Sequence, residues 1–128
     1  MTAPGDLYGE LIAGHYRNPQ NRGALEHPDA AHEAVNPLCV DRLRLDLRIE
    51  GGRISDVRFR GDACMVATAS ASLFTGHLRG LSLAEAALLS AAETLALLKT
   101  PLRPARIACA LLPLEALRGA LATPGVAK

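Results

Sequence analysis

Arg42-Leu43-Arg44-Leu45-Asp46-Leu47-Arg48-Ile49-Glu50, followed by Gly51-Gly52, is the stretch on which the fold turns. Apolar side chains occupy every second position, so Leu43, Leu45, Leu47 and Ile49 face one way and Arg42, Arg44, Asp46 and Arg48 the other. A period of two with one polar side is the pattern of a half-buried antiparallel strand. Gly51 and Gly52 can both take positive φ and predict a tight hairpin turn. Arg53–Arg60 returns as the partner strand, with Val57 and Phe59 inward and Asp56, Arg58 and Arg60 outward. Asn36-Pro37-Leu38-Cys39-Val40-Asp41 enters this hairpin and Cys64 follows it, so Cys39 and Cys64 flank the same open end.

Helical patterns lie on both sides. Asp6 is a good N-cap, and Leu7, Tyr8, Leu11, Ile12 and His15 recur at helical spacing, predicting an amphipathic helix over 7–17. Asn18-Pro19 ends it, and Asn21-Arg22-Gly23 is turn chemistry. Residues 24–38 lack a period and read as loop, with a short extended piece near Ala34-Val35. After the hairpin, Met65–Leu78 carries Val66, Leu73, Phe74 and Leu78 among small residues (Ala67, Ala69, Ser70, Ala71, Ser72) that permit close packing on the sheet. Gly80 stops it. Ser82-Leu83-Ala84-Glu85 is a capping box that opens a Leu/Ala helix running to about Lys99. Pro101 and Pro104 bracket a linker, Ala105–Leu112 reads as a helical start containing Cys109, and Pro113 imposes a break or fresh start before Leu114–Leu121. The expectation is one α/β (α+β) domain over residues 1–128, a small antiparallel sheet against about four to five helices, with short flexible ends near 1–5 and 123–128.

At 128 residues the chain can bury a core without disulfide staples. Aromatics make up 3% against 49% apolar residues, so that core is Leu, Val, Ile and Ala. A formal charge of +1 argues against a general nucleic-acid binder. No apolar run approaches the roughly 20 residues that span a bilayer. The opening residues carry no signal-peptide pattern, so a cytoplasmic protein away from membranes is expected. In that reducing setting three cysteines, an odd number, read as metal or redox ligands rather than as a disulfide framework.

Cys39, Asp41, Cys64 and Cys109 supply three thiols and one short carboxylate, a complete tetrahedral set for zinc or one edge of an iron–sulfur cluster. Cys64 and Cys109 each fall at a predicted helix start, where a thiolate is stabilised. The plainer reading is buried cysteines and an incidental Asp at a strand start; the residues alone leave both open. A divalent ion on this set leaves a net charge of about −2, which calls for cations nearby. Arg42, beside Asp41, and Arg106, one turn before Cys109, are the candidates. His15 reads as packed, His27 and His32 as loop residues and His77 as lying near a helix C-terminus; none has ligand spacing to a cysteine. The outward arginines Arg42, Arg44, Arg48, Arg58 and Arg60 make a basic sheet face, either a solvated surface or a docking face for an acidic partner. No Gly-rich phosphate loop, Ser/His/Asp arrangement or CxxC pair is present.

Taken together, several motifs are similar to one family. They are Leu7-Tyr8, His15-Tyr16-Arg17-Asn18-Pro19 with Asn21 and Gly23, Asn36-Pro37-x-Cys39-x-Asp41, Phe59-x-Gly61-x-x-Cys64 with Ala69-Ser70-Ala71-Ser72, and Pro104-Ala105-Arg106-Ile107-x-Cys109-Ala110. Over about residues 7–121 the chain closely resembles the U-type iron–sulfur assembly proteins, the IscU, SufU and NifU N-terminal family. The resemblance implies a SufE/NifU-like fold and makes Cys39, Asp41, Cys64 and Cys109 the ligand set for zinc or a [2Fe–2S] cluster. It implies a scaffold that accepts sulfur from a PLP-dependent cysteine desulfurase, builds a [2Fe–2S] cluster and passes it to apo iron–sulfur acceptor proteins. In the SufU-type branch the site holds zinc and relays sulfur for a SufS-type desulfurase, a zinc-dependent sulfurtransferase. The alternative from another class is a zinc-stabilised interaction module without sulfur chemistry.

Some residues depart from the family pattern. The Pro-Ala-Arg-Ile-x-Cys segment resembles the SufU side, yet the chain lacks the insertion which that branch carries before its last cysteine. Ala108 stands where IscU has His, and no Leu-Pro-Pro-Val-Lys motif occurs. Val40 and Ala63 replace the usual glycines and stiffen their loops. Cys39 is the expected sulfur acceptor, because it lies in a loop ahead of the strand while Cys64 and Cys109 are expected to pack on the sheet.

Overall fold

The computed structural model describes residues 9–37 and 41–122, so Leu38, Cys39, Val40, the expected cap Asp6 and both chain ends lie outside the described residues. In chain order the elements are α1 (Gly9–Arg17), β1 (Ala30–Asn36), β2 (Asp41–Glu50), β3 (Arg53–Arg60), α2 (Met65–Leu78), α3 (Leu83–Ala87), α4 (Ala91–Ala96), α5 (Pro104–Ala110) and α6 (Leu112–Leu121). The strands form one antiparallel sheet in the order β1-β2-β3.

The central hairpin follows its alternation. Leu43, Leu45 and Leu47 are buried, and Gly51 and Gly52 turn with φ of +59° and +75°. A bulge between Arg48 and Ile49 sets Arg48 opposite Asp56 but Ile49 opposite Ile54. Consequently β3 buries Ile54 as well as Val57 and Phe59, where unbroken alternation would have turned Ser55 inward.

The segment expected as loop contains a full strand, β1, paired from Ala30↔Leu47 to Asn36↔Asp41. Its inward apolar residues, Ala30 and Ala34, are small. Between them His32 lays its ring over Gly119 of α6, where any Cβ would collide with the imidazole. Two alanines and a histidine present no apolar alternation to read.

The outer sheet face is not a plain solvated surface. Asp46 is buried there, and its carboxylate accepts from Arg44 at 2.9 Å, Arg60 at 3.2 Å and the Leu25 N–H at 3.1 Å. Arg42 pairs with Glu33, Arg58 with Asp56, and Arg48 donates to the Glu26 carbonyl. All five arginines of that face therefore have partners inside the fold.

On the inner side Ala71, Phe74 and Leu78 of α2 meet Leu112, Leu114 and Leu117 of α6 and the sheet leucines. The other side of α2 packs Val66, Ala67 and Ala69 against Ile12, Leu98, Cys109 and Ala110. The expected single helix over 82–99 is two helices. Ser82 with Glu85 and Ser90 with Glu93 each complete a capping box, and the second box starts α4. This raises the count to six helices among the described residues. No helix among them is long and apolar enough to cross a membrane.

Candidate metal centre

One ligand atom each from Asp41, Cys64 and Cys109 lies within 4.8 Å of the other two. Cys39, the fourth expected ligand, lies outside the described residues. The three come from the ends of different elements: Asp41 opens β2, Cys64 caps α2, and Cys109 is the penultimate residue of α5. The position of Cys109 corrects the expectation of a helix start. Pro113 has no N–H to offer the Cys109 carbonyl four residues back, so the helix breaks there and α6 begins anew.

Three hydrogen bonds hold these ends together. The Arg42 N–H donates to the Asp62 carbonyl at 2.9 Å, tying the start of β2 to the loop before Cys64. Gly61 makes that approach possible: its φ is +146°, and a Cβ would strike the Arg42 carbonyl. Thr68 Oγ1 donates to the Ala63 carbonyl at 3.2 Å. Ser70 Oγ donates to the Ala110 carbonyl at 2.6 Å, which fixes the end of α5 against α2.

The sulfurs and the carboxylate differ in how they are satisfied. Cys64 Sγ accepts the Ala67 N–H at 3.5 Å from the first turn of α2, where the helix dipole favours a thiolate. Cys109, fully buried, has Asn36 Nδ2 at 3.8 Å from its sulfur. Asp41 is also buried, and its Oδ2 has no hydrogen-bond partner. Arg42 does not serve it: strand alternation sends that guanidinium outward to Glu33 at 3.5 Å. Arg106 is half-buried on α5. Two thiols beside an orphaned carboxylate oxygen are a donor set suited to a borderline-soft divalent cation such as zinc or iron.

The histidines stay out of this group. His15 Nδ1 shares a 2.6 Å hydrogen bond with Ser72 Oγ, which also accepts the Gln20 N–H at 2.8 Å, so that the pair fastens the end of α1 to α2. Sequence reasoning passed over Asn36 and Gly61 as parts of the site. The signals were there: Asn36 precedes the Cys-x-Asp pair by three residues, and Gly61 precedes Cys64 by three.

The NifU-like N-terminal domain family matches residues 7–123. The iron–sulfur cluster assembly scaffold protein IscU of Escherichia coli K12 is 33% identical over 119 residues, 90% of this chain and 91% of that one. The zinc-dependent sulfurtransferase SufU of Bacillus subtilis is 38% identical over 74 residues, 58% of this chain and half the length of that protein. The crystal structure of the N-terminal part of a nitrogen-fixing NifU-like protein from Brucella abortus superposes with a TM-score of 0.76 at 22% identity, covering 91% of this chain and 93% of that one. In sequence across nearly its whole length, and in fold, the chain belongs to the NifU-like N-terminal domain family.

Proposed function

We propose that the chain is an iron–sulfur cluster assembly scaffold whose centre is built by Cys39, Asp41, Cys64 and Cys109. The observation that carries this reading is Asp41, a buried carboxylate with an unpartnered oxygen beside two cysteine sulfurs. An ionised group so placed costs several kcal/mol unless a counter-charge meets it, and a divalent cation is that counter-charge. The likeness to the Escherichia coli scaffold over nine-tenths of the chain supports the same reading.

A bound metal would supply Lewis acidity and hold the thiols as thiolates at neutral pH. Cys64 and Cys109, set on helix ends and tied by Ser70 and Thr68, are the fixed donors. Asp41 would offer a hard oxygen to a soft metal and would be the most weakly held of the donors. Cys39, in the segment ahead of β2, is the sulfur acceptor. Its thiolate attacks the outer sulfur of a persulfide on a PLP-dependent cysteine desulfurase, a new S–S bond forms, and the desulfurase cysteine leaves as thiolate. Apo iron–sulfur proteins in the cytoplasm are the recipients.

A second reading, a zinc-dependent sulfur relay, draws support from the compactness of the site. Donor atoms all within 4.8 Å of one another suit a single tetrahedral ion, whose S–S edges are about 3.8 Å for Zn–S bonds of about 2.3 Å. Two irons would spread the same donors further apart. Ala63 packs against both core clusters and keeps Cys64 in that compact arrangement. Anaerobic reconstitution with iron, sulfide and thiol separates the two readings. A [2Fe–2S] chromophore that Asp41→Ala loses more slowly than the native chain supports the scaffold. No chromophore, with zinc-loaded protein stimulating a desulfurase, replaces the scaffold by the relay. In either case a persulfide found by mass spectrometry mainly on Cys64 or Cys109 refutes the role given to Cys39.

A further inference from the structure

We infer that Asn36 is a positioning residue of this centre: its side-chain amide hydrogen-bonds the Cys109 sulfur and fixes Cys109 as the anchored ligand. The inference rests on the metal-centre reading above and concerns a residue outside the four donors.

The last two residues of β1 invert the usual pattern of burial. Val35 points outward at 40% exposure while Asn36 points inward at 6%. Burying an amide and exposing a valine on adjacent positions is the reverse of what the hydrophobic effect favours. Such inversions persist where a site requires them. The register places Asn36 directly opposite Asp41, so the strand pairing that positions one donor also positions the amide. Asn36 Nδ2 then reaches Cys109 Sγ at 3.8 Å, within range of an N–H···S hydrogen bond. A thiolate only accepts, so the nitrogen rather than the oxygen of the amide faces it.

The two cysteines sit at opposite kinds of helix end. Cys64 stands at the start of α2 and takes a backbone N–H from Ala67. Cys109 stands at the carbonyl end of α5, where a helix offers a thiolate partial negative charge instead. The Asn36 N–H offsets that, draws electron density from the sulfur and sets its orientation. Partners of this kind typically change metal affinity by about 10–100-fold, and hydrogen bonds to sulfur ligands tune iron–sulfur centres in the same way.

The test uses full-length protein labelled with ¹⁵N and loaded with ¹¹³Cd. The expected result is a scalar coupling from cadmium to an Asn36 side-chain amide proton, transmitted through the Cys109 sulfur. Asn36→Leu, similar in size and without a donor, should bind zinc roughly 10–100-fold more weakly. Its cobalt-substituted form should show the thiolate-to-cobalt charge-transfer band moved to lower energy. Asn36→Asp gives the same two readouts if the leucine variant does not fold. Cadmium bound without the coupling, or variants with native zinc affinity and an unshifted cobalt band, overturns the inference and leaves the metal centre standing. Native protein that binds no cadmium sinks the metal centre and the inference together.

Discussion

Replacing Gly61 with alanine attacks the contact that brings Asp41 to Cys64. Gly61 sits at φ +146°, and an added Cβ would meet the backbone carbonyl of Arg42, which cannot swing aside as a side chain would. An L-residue held in that region costs about 1–3 kcal/mol. If the loop moves to relieve the clash, the 2.9 Å bond from the Arg42 N–H to the Asp62 carbonyl is lost, for about 1 kcal/mol more. The sum is about 2–4 kcal/mol. For a domain of this size each kcal/mol moves the melting temperature by roughly 3–5 °C, so metal-free Gly61→Ala should melt roughly 6–20 °C below the native chain. Zinc should rescue it less than it rescues the native protein, because Asp41 and Cys64 are no longer held together. Gly76→Ala is the control. Gly76 lies within α2, and its added Cβ meets only the flexible Gln20 side chain at 3.3 Å, so helix propensity leaves it neutral or up to about 1 kcal/mol more stable. Paired thermal melts with and without zinc decide the matter. A Gly61→Ala protein that melts within a couple of degrees of native refutes the close-approach argument.

Two further changes probe the frame. Ser90→Ala removes the cap of α4, whose Oγ accepts the Glu93 N–H at 3.1 Å. It should cost about 1 kcal/mol and show as faster amide exchange across residues 91–96 with residues 65–78 unaffected. Asp56 is the acid-side probe. Burial works to raise its pKa, but the Val57 N–H and the charges of Arg58 and Arg79 outweigh it and leave it below 3.8. A carboxyl whose folded pKa is depressed adds stability that is fully present above the unfolded value and lost as pH falls through the folded one. Asp56→Asn should therefore be less stable than native at pH 7, and urea midpoints of the two should converge as pH drops below 3.8.

What could be read from the chain alone follows from how each element announces itself. The β2–β3 hairpin was legible because large leucines alternate with arginines and two glycines mark the turn. Helix α2 was legible to the residue, from the Cys64 cap to the Leu78 end. Strand β1 was not, because its inward side chains are alanines, an asparagine and a histidine seated on Gly119, and a period of two carried by small or polar residues leaves no trace in hydropathy. The joint at Leu88–Ser90 was hidden by the apolar run Ala86-Ala87-Leu88-Leu89, although Ser90 and Glu93 form as complete a capping box as Ser82 and Glu85. At the site, the cysteines and Asp41 were found because their chemistry is rare. Asn36 was not counted in the site because it falls in the stretch 24–38, which carries no period, and only the register against Asp41 shows it turned inward.

Zinc titration of the metal-free chain, with competition by a chelator and melting of each form, tests the centre directly. The account predicts one zinc per chain and a melting temperature that rises with zinc by linkage, about 2.7 kcal/mol at a free concentration 100 times Kd. Cys64→Ser and Cys109→Ser should each lose both the metal and the rise. Either serine variant retaining full zinc occupancy contradicts the claim that Asp41, Cys64 and Cys109 together hold the ion.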